Sequence, residues 1–188
     1  MKKIITLIWL IVGLSSIPAL AQLEIGASYE LRDEDPQSGF GVRIQKGFLE
    51  QIPLAKIAMR AHFSFFSEEN NVDENGFSYS EELTNYDFGV AIIGGVSVGL
   101  IEPYIGLGLG STTLDFKAEG AALPQELQSD PEGNESNIYW NRLIGAKVSI
   151  IPLVNPFVEY RYSDTSLSEP ELAEVKTGRI IFGVSLSF

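Results

Sequence analysis

The sequence predicts an all-β protein that crosses a membrane as an eight-stranded antiparallel, up-and-down barrel. Eight segments after residue 21 alternate apolar residues with small or polar ones, as in strands whose two faces meet different surroundings. The connections between them alternate between long and acidic and short and apolar, which is typical of transmembrane barrels. The longest later apolar run, 90–101, is too short and glycine-rich for a membrane helix, so a closed barrel is the spanning structure that remains.

Residues 1–21 predict a secretory signal peptide. Two lysines follow Met1, residues 4–14 are apolar, and residues 15–21 are mostly small and end in Ala-Leu-Ala, which favours cleavage after Ala21. A membrane anchor is the alternative, but the apolar run is short for a spanning helix. No Cys follows the cleavage site, which argues against a lipoprotein. Residues 22–188 are then predicted to form one barrel domain.

The composition excludes several classes of partner and chemistry. The chain has 25 acidic and 13 basic residues and a formal net charge of −12 at pH 7. Such acidity argues against nucleic acid or an anionic lipid surface as the partner. The chain contains no Cys, which excludes disulfide bonds and thiol chemistry.

The eight strands follow one another at regular intervals. They are predicted at Leu23–Leu31, Phe40–Phe48, Lys56–Phe66, Leu83–Val98, Pro103–Phe116, Ile138–Ser149, Pro156–Ser163 and Gly178–Phe188. The last strand shows the alternation most clearly, because Ile180, Phe182, Val184, Leu186 and Phe188 share one face. A strand that ends on Phe is favoured where its apolar face meets lipid.

Two of the strands are irregular. In Pro103–Phe116 the aromatic residues Tyr104 and Phe116 fall on the glycine face, which predicts a β-bulge near Ser111. In Ile138–Ser149 the apolar residues share a face with Arg142, so the orientation of this strand stays open.

The connections and the aromatic residues predict where the membrane lies. The long acidic connections are 32–39, 67–82, 117–137 and 164–177, and the short ones are 49–55, 99–102 and 150–155. Long loops are expected outside the cell and short turns in the periplasm. Aromatic belts are predicted at the long-loop end by Phe40, Phe65, Tyr86, Phe116, Tyr139 or Trp140, and Tyr162, and at the short-turn end by Phe48, Tyr104, Phe157 and Phe188.

The strand faces opposite the apolar ones are polar. They carry Glu24, Glu30, Arg43, Arg60, His62, Asp87, Lys147, Glu159 and Arg161. A polar interior with an apolar exterior is the inverse of a lipocalin-like barrel or a soluble sandwich. An interior of eight strands is just wide enough for side chains to fill, so these residues predict a buried ion-pair network. A narrow gated pore is the alternative.

Three segments resemble a known family. Pro103-Tyr104-Ile105-Gly106-Leu107-Gly108-Leu109-Gly110, Val158-Glu159-Tyr160-Arg161-Tyr162-Ser163 and the terminal strand ending at Phe188 resemble the small outer-membrane β-barrels of the OmpX, OmpA-barrel and opacity-protein type. The resemblance covers residues 22–188. It implies a barrel in the outer membrane of a Gram-negative-type bacterium, surrounded by lipid and lipopolysaccharide and inserted by the barrel-assembly machinery. It also implies functions that range from structural support and adhesion to, in a few members, lipid modification.

Two motifs suggest chemistry without establishing it. His62 and Ser64 lie on the same face of their strand, so the imidazole could act as a base on the hydroxyl. The two residues resemble the His-x-Ser pair of the lipid A deacylases (PagL). In that family, however, the pair lies late in the chain and faces lipid. Residues 71–76 with Glu82 roughly fit the spacing of a calcium loop, but Asn71 replaces the usual Asp and strands replace the flanking helices. The sequence therefore identifies no catalytic, cofactor or metal residue.

The function expected is that of a non-enzymatic, surface-exposed outer-membrane protein. The loops 67–82 and 117–137 are candidates for binding an extracellular ligand, with Phe77, Tyr79 and Leu123 as apolar anchors. Acidic loops beside anionic lipid also favour divalent cations as counterions. A PagL-like deacylase and a narrow solute pore remain as alternatives.

Overall fold

The computed structural model describes residues 23–49, 55–74, 77–122, 132–150, 153–165 and 176–188. The predicted signal peptide lies outside these residues and stays a prediction. The strands are β1 Leu23–Arg32, β2 Ser38–Leu49, β3 Ala55–Glu74, β4 Phe77–Val96, β5 Ile101–Ala122, β6 Glu132–Val148, β7 Val154–Asp164 and β8 Lys176–Ser187. No helix among the described residues is long and apolar enough to cross a membrane.

The eight strands form a closed barrel in which each pairs antiparallel with the next along the chain. The ring closes between β1 and β8, which pair from Glu24↔Ser187 to Arg32↔Arg179. Beyond this ladder the Phe188 N–H donates a hydrogen bond to the Leu23 carbonyl at 2.8 Å. The predicted eight-stranded up-and-down barrel is therefore confirmed, and its terminal strand completes the wall.

The alternation of side chains separates an apolar outside from a polar inside. On β2, Val42 is 55% exposed whereas its neighbour Arg43 is 5% exposed. The same contrast holds on β4, where Ile92 is exposed and Ala91 and Asp87 are buried. Because successive side chains of a strand point to opposite faces, the barrel presents aliphatic and aromatic groups outward, as lipid requires.

Four strands are much longer than a membrane crossing needs. Strands β3, β4 and β5 have 20, 20 and 22 residues and β6 has 17, whereas about 9–11 tilted residues cross a bilayer. Strands β1, β2, β7 and β8 have 10 to 12 residues. The described parts of the predicted loops 67–82 and 117–137 are therefore strands, and the loop assignment there was wrong. We call residues 67–74, 77–85, 114–122 and 132–137 the protruding sheet.

The short connection between β4 and β5 is a tight turn. Residues 97–100 join β4 to β5, with hydrogen bonds in both directions between Val98 and Ile101. Gly99 has a φ of +64°, which suits the first central position of a two-residue hairpin turn. Residues 149–153 join β6 to β7, and residues 50–54 of the remaining short connection lie outside the described part of the chain.

The predicted β-bulge near Ser111 is wrong. Ser111 pairs with Phe88 on one side and Ile138 on the other, without a shift of register around it. Tyr104 faces inward because its ring covers Gly145, its direct partner on β6. The aromatic residue thus fills the space that the glycine leaves, and no extra residue is needed.

The aromatic belt at the long-loop end is confirmed in part. Four outward rings form one row across β1 to β4, with Tyr29 paired to Phe40, Phe40 to Phe65, and Phe65 to Tyr86. Tyr139 instead faces the lumen and is 1% exposed. At the other end Phe48 and Phe188 are exposed, but the predicted belt members Tyr104 and Phe157 are buried inside the barrel.

The orientation of β6, which the sequence left open, is now defined. Arg142 and Ile144 face outward, whereas Asn141 and Leu143 are buried in the lumen. The Arg142 guanidinium lies 4.8 Å from the ring centroid of Tyr162, and the Trp140 ring packs edge-on to Tyr162. A cation between two interfacial aromatic rings is stabilised by their π faces and can reach water past the lipid.

A closed, lipid-embedded barrel predicts a heat-modifiable band. We expect the chain 22–188, refolded in detergent or lipid, to migrate faster on a gel before boiling than after, because the barrel resists unfolding by detergent alone. Gel mobility with and without boiling, together with circular dichroism, measures this. A chain that gives one band in both lanes and stays soluble without detergent would contradict the membrane barrel.

Candidate functional site: the filled lumen and the protruding sheet

The lumen nearest the short turns holds a chain of ion pairs. Glu24 accepts hydrogen bonds from Arg43 at 3.0 Å and Lys147 at 2.6 Å. Lys147 also pairs with Glu102 at 3.1 Å, and Glu102 bonds Lys56. Strands β1, β2, β3, β5 and β6 supply these groups, so the network joins strands that are distant in sequence.

Glu159 is buried in the lumen among three arginine side chains. Its carboxylate pairs with Arg60, with Arg161 at 2.8 Å and with Arg43 at 3.7 Å, and its side chain is fully buried. The Tyr104 hydroxyl donates a further hydrogen bond to it at 3.0 Å. One buried carboxylate is thus surrounded by three guanidinium groups, which replace the stabilisation that bulk water would give its charge.

Asp87 occupies the corresponding place nearer the protruding sheet. It accepts hydrogen bonds from Tyr139 at 2.8 Å and from Arg179 at 3.0 Å, and His62 Nε2 lies 3.4 Å away. Arg179 also lies 3.5 Å from Glu30. Arg179 was not among the lumen residues predicted from the sequence, although its alternation with Ile180 on the last strand assigns it to the lumen.

Aromatic side chains complete the filling of the lumen. Four buried rings lie directly opposite a glycine on the adjacent strand, in the pairs Phe66↔Gly39, Tyr104↔Gly145, Tyr139↔Gly110 and Phe157↔Gly183. A Cβ atom on any of these glycines would overlap the ring. The small residue therefore makes room for a large one, as expected where glycine leaves a gap in a strand.

The lumen charges predicted from the sequence are confirmed as a buried network. Guanidinium–carboxylate pairs and aromatic rings occupy the cross-section at Glu159 and Asp87. A narrow pore would require this network to open, so the described arrangement favours a filled barrel over a pore.

The protruding sheet is strongly acidic. It contains Glu68, Glu69, Asp73, Glu74, Glu81, Glu82, Asp115, Glu119, Glu132 and Glu135, whereas Lys117 is the only basic residue in its described segments. A hydrogen bond from Lys117 lowers the pKa of the Glu119 carboxyl and raises that of the ammonium group. A surface with so large an excess of acidic over basic residues attracts cationic groups.

The protruding sheet also has two edges. Strand β3 pairs with β2 only as far as Phe66↔Gly39, and β6 pairs with β7 only as far as Trp140↔Asp164. Beyond those points, residues 67–74 and 132–137 each pair with one strand of the described chain. We call them the β3 edge and the β6 edge. Such edges carry backbone groups that another chain can pair with.

Comparison with known proteins identifies the fold. No protein-family profile matches the sequence, and no curated protein matches it. Among solved structures, Neisserial surface protein A superposes with a TM-score of 0.59 at 16% identity, covering 89% of this chain and 97% of that one. This chain has the fold of the small outer-membrane β-barrels.

Two further structures agree. The attachment invasion locus protein Ail of Yersinia pestis has a TM-score of 0.54 at 16% identity, and the N-terminal barrel domain of Pseudomonas aeruginosa OprF has 0.53 at 14%. Each match covers 89% of this chain and 97% of the other. The predicted resemblance is thereby confirmed at the level of the fold, and the apolar outer surface agrees with the predicted outer-membrane localisation.

The His62 and Ser64 pair does not form a catalytic arrangement in this outer-membrane barrel. Both side chains are buried in the lumen, away from lipid. The Ser64 hydroxyl donates to Glu30 at 3.0 Å, and His62 Nε2 lies 3.2 Å from the Tyr139 hydroxyl. The base and the hydroxyl thus have other partners, and the geometry favours the structural role over a deacylase.

The residues that roughly fit the spacing of a calcium loop lie on the paired strands β3 and β4. Asn71 and Asp73 pair with Ser80 and Ser78 in the antiparallel register of β3 and β4, and Glu82 pairs with Glu69. An extended strand spaces these oxygens along its length, whereas a calcium loop folds them around one point. Residues 75–76 of the predicted calcium loop lie outside the described residues. Of the predicted ligand anchors, Leu123 also lies outside them, whereas Tyr79 is partly exposed on β4.

Proposed function

We propose that this protein is a non-enzymatic surface-recognition barrel whose protruding sheet binds a basic extracellular partner. The observation that carries the proposal is the extension of β3 to β6, with up to 22 residues per strand, far beyond the membrane-crossing length. Structural support of the membrane needs only strands as long as β1, β2, β7 and β8. The additional length is therefore explained by a role outside the membrane.

The chemistry of the protruding sheet indicates the kind of partner. Ten acidic residues and one lysine favour a cationic ligand. The β3 edge and the β6 edge offer backbone donors and acceptors, so an extended basic segment of another protein fits by adding a strand. Ail has been solved with the heparin analogue sucrose octasulfate, an anion, and the acidic sheet here would repel such a ligand.

The surroundings of the barrel are part of the same proposal. Lipid and lipopolysaccharide would contact its apolar exterior, and the barrel-assembly machinery would insert it. The terminal strand supports this, because Ile180, Phe182 and Val184 face outward in register with β1.

A binding measurement on proteoliposomes tests the recognition role. The probe is a fluorescent peptide of alternating Lys and Val, compared with its Glu and Val analogue and with sucrose octasulfate. We expect the lysine peptide alone to bind, and added salt to weaken it because ions screen the acidic sheet. Replacing residues 68–83 with Asn-Gly, which joins the paired residues Ser67 and Thr84, should weaken binding by about tenfold, or about 1.4 kcal/mol.

The control separates charge from strand addition. A variant with Glu68, Glu69, Glu81 and Glu82 changed to Gln keeps the strands but removes four charges. If it binds as weakly as the trimmed barrel, charge dominates; if it binds like the parent while the trimmed barrel does not, the edge dominates. Equal binding by all three proteins would contradict recognition by the part of the protruding sheet that β3 and β4 form, and binding of the acidic peptide would contradict recognition by the protruding sheet as a whole.

A further inference from the structure

The short-turn end of the barrel is apolar where it would be expected to meet water. Val98, Leu100, Ile150 and Leu153 are 61–68% exposed. Turns that project into water are usually built from Gly, Asn, Asp and Ser, yet the described turn residues 97–100, 149–150 and 153 include no charged side chain. The feature recurs in sequence at 52–54, Ile-Pro-Leu. We call Val98, Leu100, Ile150 and Leu153 the apolar rim.

Backbone hydrogen bonds join the turns of the apolar rim to each other and to the barrel. The Ser149 N–H donates to the Leu100 carbonyl at 2.8 Å, and the Ser187 N–H donates to the Leu153 carbonyl at 2.9 Å. The nearby charges of Lys147 and Glu102 are buried and paired in the lumen. These hydrogen bonds hold the turns of the apolar rim in one fixed surface. Because the nearby charged groups point into the lumen, that surface carries few charges.

The apolar rim continues the lipid-facing surface without a break. On β4 and the following turn, Phe88, Val90, Ile92, Val96 and Val98 are all exposed and apolar. On β6 the series ends at Ile150, which is 68% exposed. The surface that contacts the hydrocarbon thus extends to the tips of the turns.

The height of the rim agrees with the thickness of the membrane. Val98 follows Tyr86, a member of the outer aromatic row, by 12 positions. At about 3.3 Å per residue and a tilt of about 40°, this separation corresponds to about 30 Å along the membrane normal, against about 25 Å for the apolar band of such barrels. The rim therefore lies at the opposite lipid boundary and does not reach far into the aqueous phase.

We propose that the apolar rim is inserted into the inner leaflet of the outer membrane, at the boundary between headgroups and acyl chains. Its partner is the phospholipid itself, and Leu100 and Ile150 are the side chains that enter it. The rim fixes the depth of the barrel from the periplasmic side, in the way that an interfacial helix lies on a membrane by its apolar face. The inference is independent of what the protruding sheet binds.

Spin labelling tests the insertion, because the chain has no Cys and each single-Cys variant carries one label. The variants are Leu100→Cys and Ile150→Cys, with Leu107→Cys on the lipid-facing wall and Glu69→Cys on the protruding sheet as references, all refolded into phosphatidylethanolamine–phosphatidylglycerol vesicles. The readout is the collision rate with oxygen divided by that with a water-soluble nickel chelate. We expect ratios at residues 100 and 150 about tenfold above that at residue 69 but below that at residue 107, because the chelate is excluded from acyl chains and Leu107 lies deeper in them.

Two outcomes would overturn the inference. A ratio at residues 100 and 150 equal to that at residue 69 would place the rim in water. A high ratio only at high protein-to-lipid ratios, with spin–spin broadening, would show that a second copy covers the rim. Gel mobility without boiling confirms that each variant is folded, so a failed variant is recognised before it is measured.

Discussion

Replacing Glu159 with alanine is expected to lower the free energy of unfolding by about 3–5 kcal/mol, because the change leaves buried guanidinium groups without their counter-charge. Arg60, Arg161 and Arg43 all pair with this carboxylate, and its side chain is fully buried. The site is shielded from bulk water, so the three cations would repel one another with little screening. Among the ion pairs of the lumen, this one carries the largest expected effect.

Urea titration of the refolded barrel in vesicles measures the loss. Trp140 is the only tryptophan after residue 21, and its interfacial position makes its fluorescence a report on unfolding. Glu119→Ala is the control, since Glu119 pairs with Lys117 on the exposed sheet and exposed pairs contribute little. If Glu159→Ala shifts the titration no more than Glu119→Ala does, the central network does not stabilise the barrel.

Changing Gly110 to alanine is expected to destabilise the barrel by about 1–3 kcal/mol through overpacking. The new methyl group would overlap the Tyr139 ring and lie 2.6 Å from the Phe88 carbonyl oxygen. Since Tyr139 donates a hydrogen bond to Asp87 at 2.8 Å, moving its ring also disturbs the ion pair between Asp87 and Arg179.

Gly94 provides a matched control on the same sheet. A Cβ atom there would meet nothing within 4 Å, so Gly94→Ala should be neutral or stabilise by about 0.5–1 kcal/mol through the lower entropy of the unfolded chain. The same urea titration compares the two variants. Equal stabilities for Gly110→Ala and Gly94→Ala would show that the aromatic ring adapts and that glycine is not required opposite it.

The period-two pattern was sufficient to predict the wall of the barrel. Each residue's face follows from its place in the alternation, so the pattern alone assigned Arg43, Arg60, Asp87 and Glu159 to the lumen. The same rule places Ile180 and Phe182 outside. These assignments are local, since they depend only on the direction in which neighbouring side chains point.

The period-two pattern failed to predict strands where both faces of a strand meet the same surroundings. Residues 67–74 look like a loop in sequence because both faces of the protruding sheet meet water, which removes the apolar alternation of a membrane strand. Only their pairing with β4, up to Glu74↔Phe77, shows that they are extended. Tyr104 and Phe157 were wrongly predicted to belong to the outer aromatic belts. An aromatic residue near the end of a strand can either face lipid or fill the lumen opposite a glycine, and the sequence pattern does not distinguish the two.

By itself, the sequence determined the number of strands, the apolar outside and the polar inside, since these follow from short-range periodicity. The tertiary structure decided which charges meet. Arg60 and Glu159 are 99 residues apart, and their contact depends on the closure and stagger of all eight strands, which set the level of each side chain in the lumen. For the same reason, only the register of the finished barrel showed that Tyr139 lies over Gly110 and that β3 to β6 continue beyond the membrane.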